Sequence, residues 1–301
     1  MTRPRFSYRL LHPKHWGVWF VLGLLWAIVQ LPQAARMAVG KGLGKLAWNL
    51  KSRRRITEVN IGIAFPHLSP EEQEQLAREH LIAVGRGFVE MAMCWWLPEW
   101  RCRKLVEYRG KEHLEAALAE GGVIMLSAHF TPLELSGRLL ALEHDIAAMF
   151  RPSENEVLNW AWSKFRGKVA KHAIPRDDVR GMIKRLKEGY PVWYAADQSK
   201  AFKYTAVVPF MGEPALTNTS TSRFAKLGKA KVVPFFVHRS ADNKKYVLKF
   251  GEALDNFPSG DEVADAERMN QLIEKAVEDA PEQYFWLHRR YKNRPGLKNP
   301  Y

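Results

Sequence analysis

His129 and Glu134 stand five residues apart in Gly121-Gly122-Val123-Ile124-Met125-Leu126-Ser127-Ala128-His129-Phe130-Thr131-Pro132-Leu133-Glu134. An imidazole is the usual general base near neutral pH. A neighbouring carboxylate fixes its tautomer and stabilises the imidazolium that forms when it takes a proton. Residues five apart on one continuous helix do not share a face. The pair can therefore cooperate only across a turn, and Thr131-Pro132 supplies one. A helix beginning there adds N–H groups and a positive dipole for an oxyanion. The spacing alone is a weak signal, because His67…Glu72 and His172…Asp177 repeat it. The first of these lies across Ser69-Pro70-Glu71-Glu72, which reads as a capping box. The second crosses Ile174-Pro175 in a basic, polar stretch. The competing reading of His129…Glu134 is a buried histidine beside a capping glutamate.

The elements around His129 favour chemistry. The apolar run 123–128 is too short for a good helix and follows Gly-Gly, so it reads as a buried strand. Thr131 suits an N-cap, Pro132 the first helical position, and Glu134 the first turn. His129 then lies where a strand ends and a helix starts, the place at which open α/β sheets collect ligands. Further strands are expected at 106–108, 146–150, 192–196, 207–210, 231–237 and 246–250. Helices are expected at 112–119, 132–143, 153–168, 177–187, 218–228 and 262–279. This alternation predicts an α/β fold with a mixed, mostly parallel central sheet and helices on both faces. A long helix capped by Ser69 and stopped by Pro98 precedes it, with Leu76, Leu81, Val84, Phe88 and Met91 at core spacing.

Arg151 and Asp197 each follow an apolar strand as well. If those strands are parallel neighbours, both residues share a crevice with His129. Arg151 with Pro152 suits a phosphate, and Asp197 suits orienting Arg151 or a substrate hydroxyl. The competing readings are a solvated strand-end arginine and a turn aspartate.

With 301 residues, 47% of them hydrophobic, a sizeable core is available. Forty-six Lys+Arg against 32 Asp+Glu give a net charge of +14. That charge calls for an anionic partner: phospholipid headgroups, a phosphorylated substrate, an acidic protein or nucleic acid. Cys94 and Cys102 show no disulfide or metal spacing, and no metal site is expected. Residues 16–35 carry no formal charge, and twenty such residues are long enough to cross a bilayer. The expectation is an uncleaved membrane anchor; the rivals are a signal peptide, for which no clear small-x-small cleavage site follows, and a segment lying along the interface. The basic run Lys51-Ser52-Arg53-Arg54-Arg55 suits headgroups or plain solvation. The aromatics and bases of Tyr284-Phe285-Trp286-Leu287-His288-Arg289-Arg290-Tyr291-Lys292 suit base stacking or a membrane interface. No nucleic-acid-binding fingerprint accompanies them. The expected organisation is a basic segment and anchor at 1–35, a helical membrane-proximal region at 36–100, and an α/β core at 101–301.

In order along the chain come Leu11-His12-Pro13, Leu43-Gly44-Lys45-Leu46, Asn60 with Phe65-Pro66, Ser127 through Glu134, and Phe150-Arg151-Pro152. They are followed by Val192-Trp193-Tyr194-Ala195-Ala196-Asp197, Val208-Pro209-Phe210 and Pro281 through Lys292. On these residues the chain resembles the late, secondary acyltransferases of lipid A assembly, lauroyltransferase type, within the lysophospholipid/glycerolipid acyltransferase superfamily. The resemblance implies a glycerol-3-phosphate acyltransferase-like fold. It implies transfer of an acyl chain from acyl carrier protein to a hydroxyl on a 3-hydroxyacyl chain of a Kdo2-lipid IVA-type glycolipid. His129 would be the general base and Glu134 its partner. Arg151, Asp197 and, more weakly, Arg166 would bind substrate. No cofactor, metal or nucleic acid is implied; inner-membrane phospholipid is, with the active site on the cytoplasmic side. After Asp197 the chain has Gln198-Ser199-Lys200 where lauroyl members often have a histidine, a departure that bears on donor preference. Two rivals stay open: a lysophosphatidate-type phospholipid acyltransferase, and a non-enzymatic basic membrane- or nucleic-acid-binding protein.

Overall fold

Before the sheet begins the chain is helical: α1 (Trp16–Gln30), α2 (Gln33–Ala47), α3 (Lys51–Ala64), α4 (Pro70–Trp96) and α5 (Glu99–Leu105). This computed structural model describes residues 6–150, 153–198, 204–294 and 296–301. The start of α4 is the expected capping box: Glu72 N donates to Ser69 Oγ (3.2 Å) and Ser69 N to Glu72 Oε2 (2.8 Å). Glu72 is thereby committed to a helix cap, so His67…Glu72 is not a reactive pair.

The expected membrane-crossing anchor is not supported. Pro32 cannot continue the helix, so the uncharged run breaks into α1 and α2. The 15 residues of α1 cover roughly 22 Å at 1.5 Å per residue, short of a bilayer core. Among the described residues no helix is long and apolar enough to cross a membrane. Instead α1 buries Leu22, Leu25 and Val29 in the protein and leaves Trp16, Phe20, Val21, Leu24 and Trp26 exposed.

α2 lies against α4 at backbone distance. A Cβ added at Gly85 would overlap the Gly40 carbonyl oxygen and the Gly44 nitrogen, neither of which can swing aside. Gly85→Val should therefore destabilise the protein by about 1–3 kcal/mol. A lower thermal midpoint would register this, and an unchanged midpoint would disprove the close packing.

The remainder alternates β1 (Val106–Arg109), α6 (Lys111–Glu120), β2 (Val123–Ser127), α7 (Leu133–Leu140), β3 (Ala147–Phe150), α8 (Glu156–Val169), β4 (His172–Pro175), α9 (Val179–Lys187) and β5 (Pro191–Ala195). Then follow β6 (Thr205–Phe210), β7 (Glu213–Asn218), α10 (Ser220–Gly228), β8 (Lys231–Arg239), β9 (Tyr246–Phe250) and α11 (Glu262–Asp279). Seven strands form one sheet in the order β1-β9-β8-β2-β5-β3-β4. All its pairs are parallel except β8–β9, so the sheet is mixed and mostly parallel, as expected. β6 and β7 form a separate antiparallel ribbon. β2 is buried at every position because its alternate side chains enter two cores. Val123 and Met125 join the core containing α4, α6 and α7, while Ile124 and Leu126 join the one containing α9, α10 and α11.

Candidate active site

Parallel pairing of β2 with β5 sets the geometry. Val123 lies opposite Pro191 and Ser127 opposite Ala195. The offset continues past the strand ends, with Ala196 N donating to Ser127 O (3.0 Å). It places Asp197 beside His129. The Asp197 Oδ1 is 2.6 Å from His129 Nδ1, and Oδ2 accepts from the His129 backbone N–H at 3.0 Å. Asp197 is buried, whereas 32% of the His129 side chain remains accessible. Burial pushes the Asp197 carboxyl up, but the charge and hydrogen bonds of His129 outweigh it and bring it down to about 2. An ionised carboxylate only accepts, so Nδ1 carries the hydrogen and Nε2 is the nitrogen available as a base. Burial alone would lower the imidazole. Asp197, by charge and hydrogen bond, overcomes this, Glu134 adds to it, and the net shift is upward.

The carboxylate hydrogen-bonded to His129 is thus Asp197, not its neighbour in sequence. Glu134 lies in the first turn of α7 and lines the same cleft as His129. That turn starts one residue later than expected. Pro132 occupies the N-cap position without a side-chain cap, and the Thr131 hydroxyl instead accepts from Arg239 Nη2 (3.4 Å). The cleft measures 330 Å³, and its walls are Trp95, Trp162, Trp193, Leu133, Met149, Phe150, Val169, Ala148 and Ala195. Among the described residues, His129 and Glu134 are its ionisable members. A larger cavity of 930 Å³ abuts Gly121, Gly122 and Lys231, at the opposite ends of the strands. The histidine and the carboxyl ends of β2 and β5 converge on the smaller one, the place at which open α/β sheets collect ligands. Arg151 lies outside the described residues. Arg166 falls on α8, a helix whose Trp162 and Val169 line the cleft, but its side chain also lies outside them. Among the described residues no cluster of His, Cys, Asp and Glu could hold a metal ion.

A second support comes from the tail. Phe285 N donates to His129 O (2.9 Å), and Thr131 N donates to Gln283 O (2.8 Å). Phe130 and Tyr284 form a bridge between these segments. Gln283 is held in turn by Arg239, which donates its backbone N–H to Gln283 Oε1 (2.8 Å). Arg239 Nε pairs with Glu90 Oε1 of α4 (2.6 Å), both side chains being buried. A buried ion pair of this kind is costly to break on one side, so the His129 loop rests on a rigid support. Tyr284, Trp286 and Tyr291 are buried. The aromatic tail is therefore core, not a stacking surface for bases or a membrane anchor. Sequence reasoning missed the Gln283–Arg239–Glu90 support, since nothing local marks residues so far apart as partners.

The chain is similar to known proteins over nearly its whole length. The profile of the family described as "Bacterial lipid A biosynthesis acyltransferase" matches residues 3–293. The chain is 37% identical to the lipid A biosynthesis lauroyltransferase of Escherichia coli K12, covering 97% of this chain and 96% of that one. It is 36% identical to the palmitoleoyltransferase of the same organism over 97% and 96% of the two chains. To its myristoyltransferase it is 27% identical over 99% and 94%. A match across nearly the whole length, including the strand ends that carry His129 and Asp197, makes the chain a member of the bacterial lipid A biosynthesis acyltransferases.

Proposed function

We propose that the protein transfers a fatty acyl chain from acyl carrier protein to a hydroxyl on a 3-hydroxyacyl chain of a Kdo2-lipid IVA-type glycolipid. The observation that carries this reading is the His129–Asp197 pair at the mouth of an apolar cleft. Nε2 of His129 takes the proton of the acceptor hydroxyl as its oxygen attacks the thioester carbonyl. Asp197 stabilises the imidazolium, and Glu134 adds negative charge on the same side. The N-terminal turn of α7 holds the tetrahedral oxyanion. The C–S bond then breaks, and the leaving thiolate takes the proton back from the imidazolium. Arg151 and Arg166 serve as acceptor-binding residues. Mass spectrometry of the glycolipid product, formed by purified protein from mixed acyl donors, tests this directly. Absence of acylated glycolipid with every donor would refute it.

The apolar cleft takes the acyl chain. Each CH₂ left outside it forfeits about 0.8 kcal/mol. Ala148→Leu, which fills part of the wall, should therefore shift product chains toward shorter lengths. An unaltered chain-length distribution would place the acyl chain elsewhere.

The same reading places the protein at the inner membrane with its active site on the cytoplasmic side. The membrane association has its support in the exposed apolar face of α1, with Trp16, Phe20 and Trp26, flanked by Lys14 and by Arg9. A helix with such a face lies in the interface, its apolar side among the acyl chains.

A further inference from the structure

Between α3 and the C-terminal tail lies another concave site, of 450 Å³. Its walls include Ser52 and Arg53 from the first turn of α3 and His288, Arg289 and Lys292 from the tail. Among the described residues no carboxylate lines it. Positive side chains gathered in a concavity repel one another, and the arrangement is most stable when an anion fills it. The gathering is built into the fold. Asn60 Nδ2 donates to both Trp286 O (2.6 Å) and His288 O (2.7 Å), fixing the tail on α3. Asn60 is itself buried and accepts from the Tyr301 hydroxyl. The Arg289 guanidinium lies 5.7 Å from the Tyr301 ring, which limits its freedom.

Neighbouring charges behave differently. Arg54 is paired with Glu58 at 2.6 Å. Among the described residues no carboxylate comes within ion-pair distance of Arg53 or Arg289. The start of α3, capped by no side chain, adds the positive end of a 14-residue helix. The site is close to the reaction. His288 follows by three residues the Phe285 N–H that holds His129 O. Its imidazole lies within electrostatic reach of both Asp197 and His129.

We propose that this pocket seats a phosphate of the acceptor glycolipid's headgroup, gripped by Arg53 and Arg289 with Lys292 and the first turn of α3 behind. The anchored headgroup leaves a hydroxyl on one of its acyl chains to reach His129. Guanidinium forks match phosphate oxygens in pairs, and an acceptor held by its charged end is positioned before its alcohol reacts. This inference rests on the acyl-transfer reading above.

The test uses the full chain in neutral-detergent micelles, with Arg53→Gln, Arg289→Gln and the double variant. Both side chains are exposed, so the fold should survive, as thermal midpoints would verify. Steady-state rates are measured against phosphorylated acceptor, against the same acceptor stripped of phosphate, and against varied acyl donor. The double variant is expected to raise the acceptor KM about tenfold or more, with the donor KM unmoved. On stripped acceptor, wild type and variant should converge. An unchanged acceptor KM overturns the proposal, as does an equal loss on both acceptors. A loss that falls on the acyl-carrier donor overturns it too. So does a loss that appears only when anionic phospholipid is added to the micelles, since the pocket would then serve bilayer headgroups. Failure of the wild type to acylate any lipid A-type acceptor would instead defeat the acyl-transfer reading, and this proposal with it.

Discussion

His129→Ala is expected to lower acyl transfer by about 10²- to 10⁴-fold, the contribution of a positioned general base. The variant removes the imidazole nitrogen proposed as the base, and a water in the remaining space is a far weaker base than imidazole. One complication is physical: alanine leaves the buried Asp197 carboxylate without its ring partner, and a stranded buried charge is destabilising. His129→Asn answers this. Its amide nitrogen can still donate toward Asp197, but it cannot take a proton at neutral pH. Both variants should lose transfer, and His129→Asn should keep a thermal midpoint closer to that of the wild type. Product formation at near wild-type rates in either variant, measured by mass spectrometry, would remove His129 from the mechanism.

Asp197→Asn should cost a comparable factor, about 10²–10⁴-fold, for a different reason. An asparagine can present an N–H to Nδ1, which would move the ring hydrogen to Nε2 and leave no base facing the cleft. The pH profile separates this role from a merely structural one. His129 works as a base only when neutral, and Asp197 raises its pKa above the ordinary 6.5. In the wild type, kcat/KM should therefore fall as pH drops through a value above 6.5. Without Asp197, burial lowers the imidazole pKa, so the acid limb should move to lower pH even though the maximum rate is smaller. Glu134→Gln should move that limb in the same direction but less, since Glu134 makes the smallest contribution to the shift. If Glu134→Gln moved the limb further than Asp197→Asn, the roles of the two acids would have to be exchanged.

Some of this molecule is written locally. The strand at β2 was legible because a short, mostly apolar run after Gly-Gly leaves no room for a helix. The helix α4 was legible from Ser69-Pro70-Glu71-Glu72, whose cap depends on groups three residues apart. β4 was not: its four residues lie at the sheet edge, three of them half-exposed, so no apolar run announces it. β7 was equally silent as a strand, because Glu213-Pro214 opens it and its pairing is confined to the ribbon with β6. The uncharged N-terminal run looked long enough to cross a bilayer, but composition does not register that Pro32 divides it or that Leu22, Leu25 and Val29 pack inward. The tail was misleading in the opposite sense. Its aromatics sit among arginines that look like surface residues, yet Arg290 is buried, with Nη1 donating to Leu216 O (2.8 Å).

By itself the sequence determined the alternation of strands and helices, the placing of an imidazole at a strand end, and, through its ordered motifs, the family. Those rest on interactions within a few residues or on a pattern running the length of the chain. The identity of the carboxylate on that imidazole was decided only by the tertiary structure. Glu134 is near in sequence and lines the same cleft, but Asp197 makes the hydrogen bond, carried there by a parallel pairing between strands that the chain order does not make neighbours. Parallel strands are joined by long crossovers, so which two lie side by side is settled by how the helices pack over the whole sheet. The same is true of the tail that holds the His129 loop, since its partners on α3 and β8 become adjacent only once the sheet has formed.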